Sequence, residues 1–400
     1  MKDSKVQSAS DVLLFSELYL PWVGGSVQWV RKIGEHWPGR ARVLCGLTPG
    51  GSAQPTRFDG LVPVERLWLR MDDWGPDSVR TAWQYANAAW RLARTCAGPR
   101  RPDLVICGRG VPEGFIAHLA GKISGVPYAT LVHGEEVVAC GTSGQLAPML
   151  RLAYGHAACA ICNSANSKDL ACQAGARGED VIVSHPGAEV RDFAALLAHR
   201  PRGVGWPVTL ITVGRFDERK NHAAVLRTLA RLRGEGLDIR YIIAGYGPLQ
   251  GQLAGLAARL GLGEAVTWVV NASDERIQQA YLQADIFVMP AIETSADIEG
   301  FGIVYIEAAL AAMPSVAGAA GGCKEAVLDG LTGLIVDGRD DEALAGAVRT
   351  LALDAKKRRR LGLAARKRAV EHFDWPVLIR DLAGRVRAVI DKRKTTDKTS

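Results

Sequence analysis

Short apolar runs that end in a glycine or a polar residue alternate along this chain with longer stretches whose apolar residues recur every three or four positions. Asp11 to Ser16 reads as a first buried strand, and Val27, Val30, Ile33 and Trp37 share one face of the helix that follows. Val43 to Cys45, Leu104 to Cys107, Tyr128 to His133 and Ala160 to Cys162 continue the strands, with helices over Val79 to Cys96 and Pro112 to Ser124. In the second half Val208 to Val213, Tyr241 to Ala244, Val266 to Val270 and Asp285 to Met289 are strand-like, and Ala223 to Leu232 and Ile303 to Leu310 are helix-like. Strands that are apolar on both faces and separated by helices predict doubly wound parallel sheets in an α/β chain. Four hundred residues exceed what one core takes, and the Pro-, Gly- and Arg-rich stretch Arg200 to Pro207 marks the linker. The predicted domains are 1–200 and 201–375, followed by a closing helical segment, 376–400, whose last residues from Lys392 form a loose polar tail.

Ligands on such sheets bind at the carboxyl ends of strands, so the loops there carry the candidate chemistry. After the strand ending at Met289, a polar loop with Gly300, Phe301 and Gly302 leads into the helix at Ile303. A helix start presents unpaired amides and the positive end of a dipole, which is an anion site. Glu299 precedes those amides and is suited to accepting hydrogen bonds from neutral hydroxyls beside a phosphate. Glu307 lies five residues past Gly302, about 7.5 Å along the axis, and leans back toward the helix start. Two surface glutamates on an amphipathic helix would give the same pattern. Gly214-Arg215-Phe216-Asp217-Glu218-Arg219-Lys220 follows another strand and can set Arg215 and Lys220 on one diphosphate, a planar fork beside a point charge. Gly24 and Gly25 open the first helix, Gly245 ends a strand in a G-x-G-P turn, and His133 stands at a strand end before Glu135 and Glu136. A tight turn and a satisfied core histidine are the plainer alternatives.

Glu299 and Glu307, separated by seven residues around Gly300-Phe301-Gly302, together with Gly214-Arg215 and Lys220, resemble the signature of retaining glycosyltransferases of family 4. The wording Asp297-Ile298-Glu299-Gly300-Phe301-Gly302-Ile303-Val304-Tyr305-Ile306-Glu307-Ala308 is similar to the phosphatidylinositol mannosyltransferase branch. The resemblance implies a GT-B fold, two Rossmann-like doubly wound parallel-sheet domains facing across a cleft, with the closing helix crossing back onto the first domain. It implies a nucleotide diphosphate sugar as donor substrate, no other cofactor and no metal ligand set. Glu299 would contact the hexose, the backbone from Gly300 to Ile303 the distal phosphate and Glu307 the ribose. Arg215 and Lys220 would hold the diphosphate, and Gly245 would lie near the nucleotide. His133 would face the donor sugar with its side chain and carbonyl, Gly24 and Gly25 the diphosphate, and Glu135 and Glu136 the acceptor. His185 stands where an asparagine is common, a departure from the pattern.

Composition changes little of this. Hydrophobic residues make up 48% and charged residues 23%, the balance of an ordinary globular chain. The eight cysteines sit mostly in apolar runs, which favours buried thiols, and Cys159-Ala160-Ile161-Cys162 lacks the second pair or histidines of a zinc site. No apolar run is long enough to span a membrane and the start has no secretory core, so a cytoplasmic protein is expected. A net charge of +7 suits phosphate ligands and an anionic membrane surface; no nucleic-acid partner is expected. Lys356 to Arg360 reads as a solvated helix face. The acceptor expected is a saccharide or lipid-linked saccharide, with Trp29, Arg31, Lys32 and Trp37 either touching a membrane or serving as core and solvated face. A nucleotide-sugar epimerase on the same plan and a non-catalytic sugar-nucleotide sensor are the rival readings.

Overall fold

The structure is a computed structural model that describes residues 10–22, 24–48, 50–53, 62–67, 69, 75–190, 207–295 and 297–396. Its contacts divide the chain into two units, Met1–His185 with Trp375–Ser400, and Pro186–Asp374. The linker read at 200–207 lies outside the described residues apart from Pro207, and with it the boundary placed at residue 200. Pro186 to Val190 goes with the second unit, where the Ala188 N–H donates to Phe373 O at 2.8 Å.

The described strands of the first unit are β1 (Val12–Ser16), β2 (Ala41–Cys45), β3 (Val64–Arg66), β4 (Leu104–Cys107), β5 (Tyr128–Val132), β6 (Cys159–Cys162) and β7 (Val181–Val183). They form one parallel sheet in the order β3-β2-β1-β4-β5-β6-β7. Its helices are α1 (Gly25–His36), α2 (Val79–Ala97), α3 (Phe115–Ser124), α4 (Glu135–Gly141), α5 (Leu146–His156) and α6 (Ala165–Gln173). Ser78 caps α2, accepting from the Thr81 N–H while the Thr81 hydroxyl accepts from the Ser78 N–H, and Ser164 caps α6.

The second unit carries β8 (Val208–Val213), β9 (Ile239–Gly245), β10 (Val266–Val270), β11 (Ile286–Met289), β12 (Ser315–Gly318) and β13 (Gly333–Val336), parallel in the order β10-β9-β8-β11-β12-β13. Its helices are α7 (His222–Gly234), α8 (Gln250–Arg259), α9 (Asp274–Gln283), α10 (Ile303–Leu310), α11 (Cys323–Ala326), α12 (Asp341–Leu353) and α13 (Ala355–His372). Strand periodicity decides which face each residue serves. Phe287 and Met289 belong to one buried cluster with Tyr281 and Tyr305, whereas Ile286 and Val288 belong to the opposite one with Leu226 and Leu344.

The last helix, α14 (Trp375–Thr396), packs on α1 and β6 within the first unit. The polar tail expected from Lys392 is therefore a correction, because helix continues to Thr396. Arg393 donates to Asp180 at 2.7 Å and Lys392 lies 3.7 Å from Glu179, so those cations are held rather than loose. Of the two readings of Trp29, Arg31, Lys32 and Trp37, membrane contact or core and paired charges, the structure favours the second. Trp29 and Trp37 are buried, Trp37 Nε1 donates to Ser10 O at 2.8 Å, and Arg31 and Lys32 both pair with Glu35. Among the described residues, no helix is long and apolar enough to cross a membrane.

Candidate active site

In both sheets the strand order reverses next to the first strand, between β1 and β4 and between β8 and β11, and the loops leaving the carboxyl ends there hold the charged groups. In the second unit those loops are 214–221, after β8, and 290–302, after β11. Ile292 N–H donates to Arg219 O at 2.9 Å, and Asn221 Nδ2 donates to Pro290 O at 3.2 Å and Gly338 O at 2.7 Å. Asn221 adopts the left-handed conformation, with φ of 57°, that ends the first loop and starts α7.

This stitching brings Lys220 and Glu299 together. Two of the loop's three cations, Lys220 and Arg219, donate to the same Glu299 oxygen, Arg219 at 2.7 Å, and Arg219 also donates to Asp297 at 2.8 Å. Glu299, Lys220 and Arg219 are 6%, 8% and 9% exposed. Burial alone would raise the Glu299 carboxyl, but Lys220 and Arg219 outweigh it and hold it below the ordinary carboxylate value. Arg215 is exposed and makes no ion pair among the described residues, while its carbonyl accepts from His222 Nε2 at 3.1 Å. Burial holds His222 neutral, its imidazole lowered to about 4.

Gly302 is the N-cap of α10 at φ of 84°, and a Cβ there would meet the Tyr305 ring at 2.6 Å, so this position requires glycine. The first amides of α10 follow it, with Gly300 and buried Phe301 packed just before. Phe301 stacks on Phe373 with centroids 5.7 Å apart and serves the core. A Cβ on Gly321 would overlap Glu299 O, and Gly322 N–H donates to that carbonyl at 2.9 Å, which fixes the Glu299 backbone. Glu307, half-buried, accepts from Tyr281 OH at 2.8 Å; burial raises its carboxyl despite that bond. Gly245, at the end of β9, lies where a Cβ would overlap Gly214 O.

In the first unit the corresponding edge carries Glu17, Arg109, Glu113 and His133. His133 Nε2–H donates to Gly108 O at 2.9 Å, its amide donates to Glu136 Oε1 at 3.0 Å, and its carbonyl accepts from Asn163 at 3.1 Å. The Trp29 ring meets the imidazole edge-on at 5.4 Å. Glu136 is buried and also accepts from Tyr154 OH at 3.2 Å, so it holds His133 in place; Glu135 is exposed. Glu113 is fully buried, accepts from the Glu17 N–H at 2.8 Å, lies 3.8 Å from Arg109, and has its carboxyl raised by burial. Gly24 and Gly25 open α1 with nothing within 4 Å of where a Cβ would stand, leaving open space before that helix start.

Two family models divide the chain along the same lines: "Glycosyl transferase 4-like domain" matches residues 24–187 and "Glycosyl transferases group 1" matches 205–368. A GDP-mannose-dependent alpha-(1-6)-phosphatidylinositol monomannoside mannosyltransferase of Mycolicibacterium smegmatis is 31% identical over 288 residues, covering 68% of this chain and 73% of that relative. The chain belongs to the GT-B glycosyltransferases of family 4. A D-inositol 3-phosphate glycosyltransferase of Nocardia farcinica is 36% identical to the transferase over 217 residues, 50% of this chain and 46% of that relative. The crystal structure of Anabaena HepE with UDP and glucose superposes with a TM-score of 0.73 at 21% identity, covering 94% of this chain and 98% of that one. Sucrose-phosphate synthase of Thermosynechococcus elongatus gives 0.75 at 19%, covering 96% and 100%. The transferase thus has the family's fold and is a hexosyltransferase. Sequence reading missed Arg219, Asp297, Tyr281, Arg109 and Glu113. Adjacent cations at 219–220 opposite acids at 297 and 299 were the available signal.

Proposed function

We propose that this transferase moves a hexose, mannose in the first instance, from a nucleotide diphosphate sugar such as GDP-mannose to a saccharide or lipid-linked acceptor in cell-envelope or glycoconjugate biosynthesis, with retention at the anomeric carbon. The observation that carries the reading is the convergence of Lys220, Glu299 and the amides of α10 where β8 and β11 diverge. Lys220, Arg215 and those amides meet the negative charge that develops on the leaving diphosphate, as an oxyanion site does. Glu299, ionised and fixed by its backbone, accepts from hexose hydroxyls and orients the ring, and Glu307, steadied by Tyr281, takes the ribose. Attack from the face of the departing phosphate needs no protein nucleophile, consistent with an acid that is occupied by cations. In the first unit, His133 has Nε2 committed to Gly108 O, which leaves Nδ1 as the ring nitrogen for a ligand.

The acceptor side of the reading includes an anionic membrane surface at the inner face. Helix α2 supports it: its nineteen residues contain no acid, Trp83 and Trp90 are 61% and 55% exposed, and Arg80, Arg91 and Arg94 share the outer side, with Arg94 stacked over Trp90 at 5.4 Å.

A thermal-unfolding panel of GDP, UDP, ADP and their sugars tests the donor, since a ligand at a hundred times its Kd adds about 2.7 kcal/mol to stability. Stabilisation by GDP and GDP-mannose above the others is expected. Stabilisation by none of them refutes a nucleotide-sugar site, and epimerisation of free donor without acceptor refutes transfer.

A further inference from the structure

The charges around Glu299 balance in pairs. Arg219 and Lys220 face Asp297 and Glu299, leaving Arg215 as the cation of this loop with no ion pair among the described residues. A nucleotide diphosphate sugar brings two more negative charges, and a Lys220 that turns to meet them gives up some or all of its contact with Glu299. The two cations differ in freedom. Arg219 is a rigid planar group held at two nitrogens, its Nε on Asp297 and its Nη1 on Glu299, whereas Lys220 is a point charge on a flexible stem lying along Gly214, with Cε 3.4 Å from where a Cβ would be. A buried Glu299 that lost both partners would take up a proton, which turns one of its oxygens into a donor and leaves it a weaker acceptor for hexose hydroxyls.

We propose that Arg219 is a positioning residue for the transfer: it keeps Glu299 paired, ionised and oriented while Lys220 turns from Glu299 to the donor diphosphate. This rests on the donor-site reading above. The other titratable groups facing Glu299 do not substitute for it. The Tyr305 phenol and the Cys323 thiol are both raised by burial, Cys323 to about 12, and stay neutral, while Asp297 carries the same sign as Glu299.

The test is the pH dependence of binding of GDP-mannose, with UDP-glucose as second probe, by calorimetry on the full chain between about pH 6 and 8.5, where the doubly esterified diphosphate does not titrate. In wild type the Kd should carry no proton uptake at Glu299. In Arg219→Gln, binding should require protonation of Glu299, so the Kd should rise with pH relative to wild type, toward about tenfold per unit for one linked proton. Arg219→Lys, which restores the charge, should restore most of the flat response. The double variant Arg219→Gln with Glu299→Gln, which has nothing to protonate and keeps the two positions electrically matched, should lose the slope. Equal slopes and Kd values in wild type and Arg219→Gln overturn the proposal. Failure of wild type to bind either probe overturns the donor-site reading itself, a different result from equal slopes. A variant that unfolds is recognised by its melting curve, and the double and Lys variants then decide.

Discussion

Replacing Lys220 by Ala separates the chemistry of this site from its stability. Lys220 and Arg219 share one oxygen of Glu299, so truncating Lys220 leaves Glu299 paired with Arg219 at 2.7 Å. The fold therefore escapes the roughly 3–5 kcal/mol that an orphaned buried charge costs, and loses about 1.5–3 kcal/mol, the worth of one hydrogen bond to a charged group. In a unit of this size that lowers the melting temperature by about 2–4 °C per kcal/mol. The transition state loses more, because the leaving diphosphate is left with Arg215 and the amides of α10; one missing donor at such a site costs about 10²–10³ in rate. The assay is single-turnover release of nucleoside diphosphate from GDP-mannose, run beside thermal melts and with Lys220→Arg as the charge-preserving control. A folded Lys220→Ala with a rate within about threefold of wild type would refute the assignment of Lys220 to the diphosphate.

Other outcomes follow from the same geometry. Gly302→Ala should destabilise the second unit by about 2–4 kcal/mol in urea melts, since the backbone is left-handed there and Tyr305 cannot yield while its hydroxyl donates to Met289 O at 2.6 Å. Glu307→Gln should weaken donor binding about 10- to 100-fold by calorimetry, and Tyr281→Phe less, through loss of the bond that orients Glu307. The Glu299 carboxyl lies below its ordinary value of 4.5 in the folded state, so its contribution to stability is complete above that pH and is lost as pH falls through the folded value. Urea midpoints measured down the acid limb should fall less steeply in Glu299→Gln. On vesicles containing anionic lipid, Trp83→Ala with Trp90→Ala should reduce sedimentation of the protein while leaving nucleotide-induced stabilisation unchanged; equal binding would dissociate α2 from the membrane.

Most strands of both sheets could be read in advance because parallel strands are buried on both faces and so appear as unbroken apolar runs, as Ile286 to Met289 does. The misses have physical causes. β3 is three residues long at a sheet edge, too short and too polar in Val64-Glu65-Arg66 to show a run. Beside Arg31 and Lys32, Trp29 and Trp37 can be read as surface anchors or as core, and helical phase decides it, turning the aromatics inward and leaving the cations to Glu35. The polar stretch after Ile390 stays helical because Asp180 and Glu179, two hundred residues earlier, supply its counter-ions.

The same limit explains the site. Lys220 and Glu299 were legible as members of a spaced pattern, and the open start of α10 as a glycine cap, because those features are local. Arg219 is a neighbour of Lys220 in sequence, but its function depends on Asp297 and Glu299, 78 residues or more away, and on two loops stitched by Asn221 and Ile292. Nothing local distinguishes a cation that clamps from one that moves. The geometry does: Arg219 is held at two points by two acids and Lys220 at one, so any rearrangement that admits a diphosphate breaks fewer contacts if Lys220 moves. The division of labour proposed for these adjacent cations is thus a property of the fold around them, and it would keep Glu299 an ionised acceptor both before and after a donor arrives.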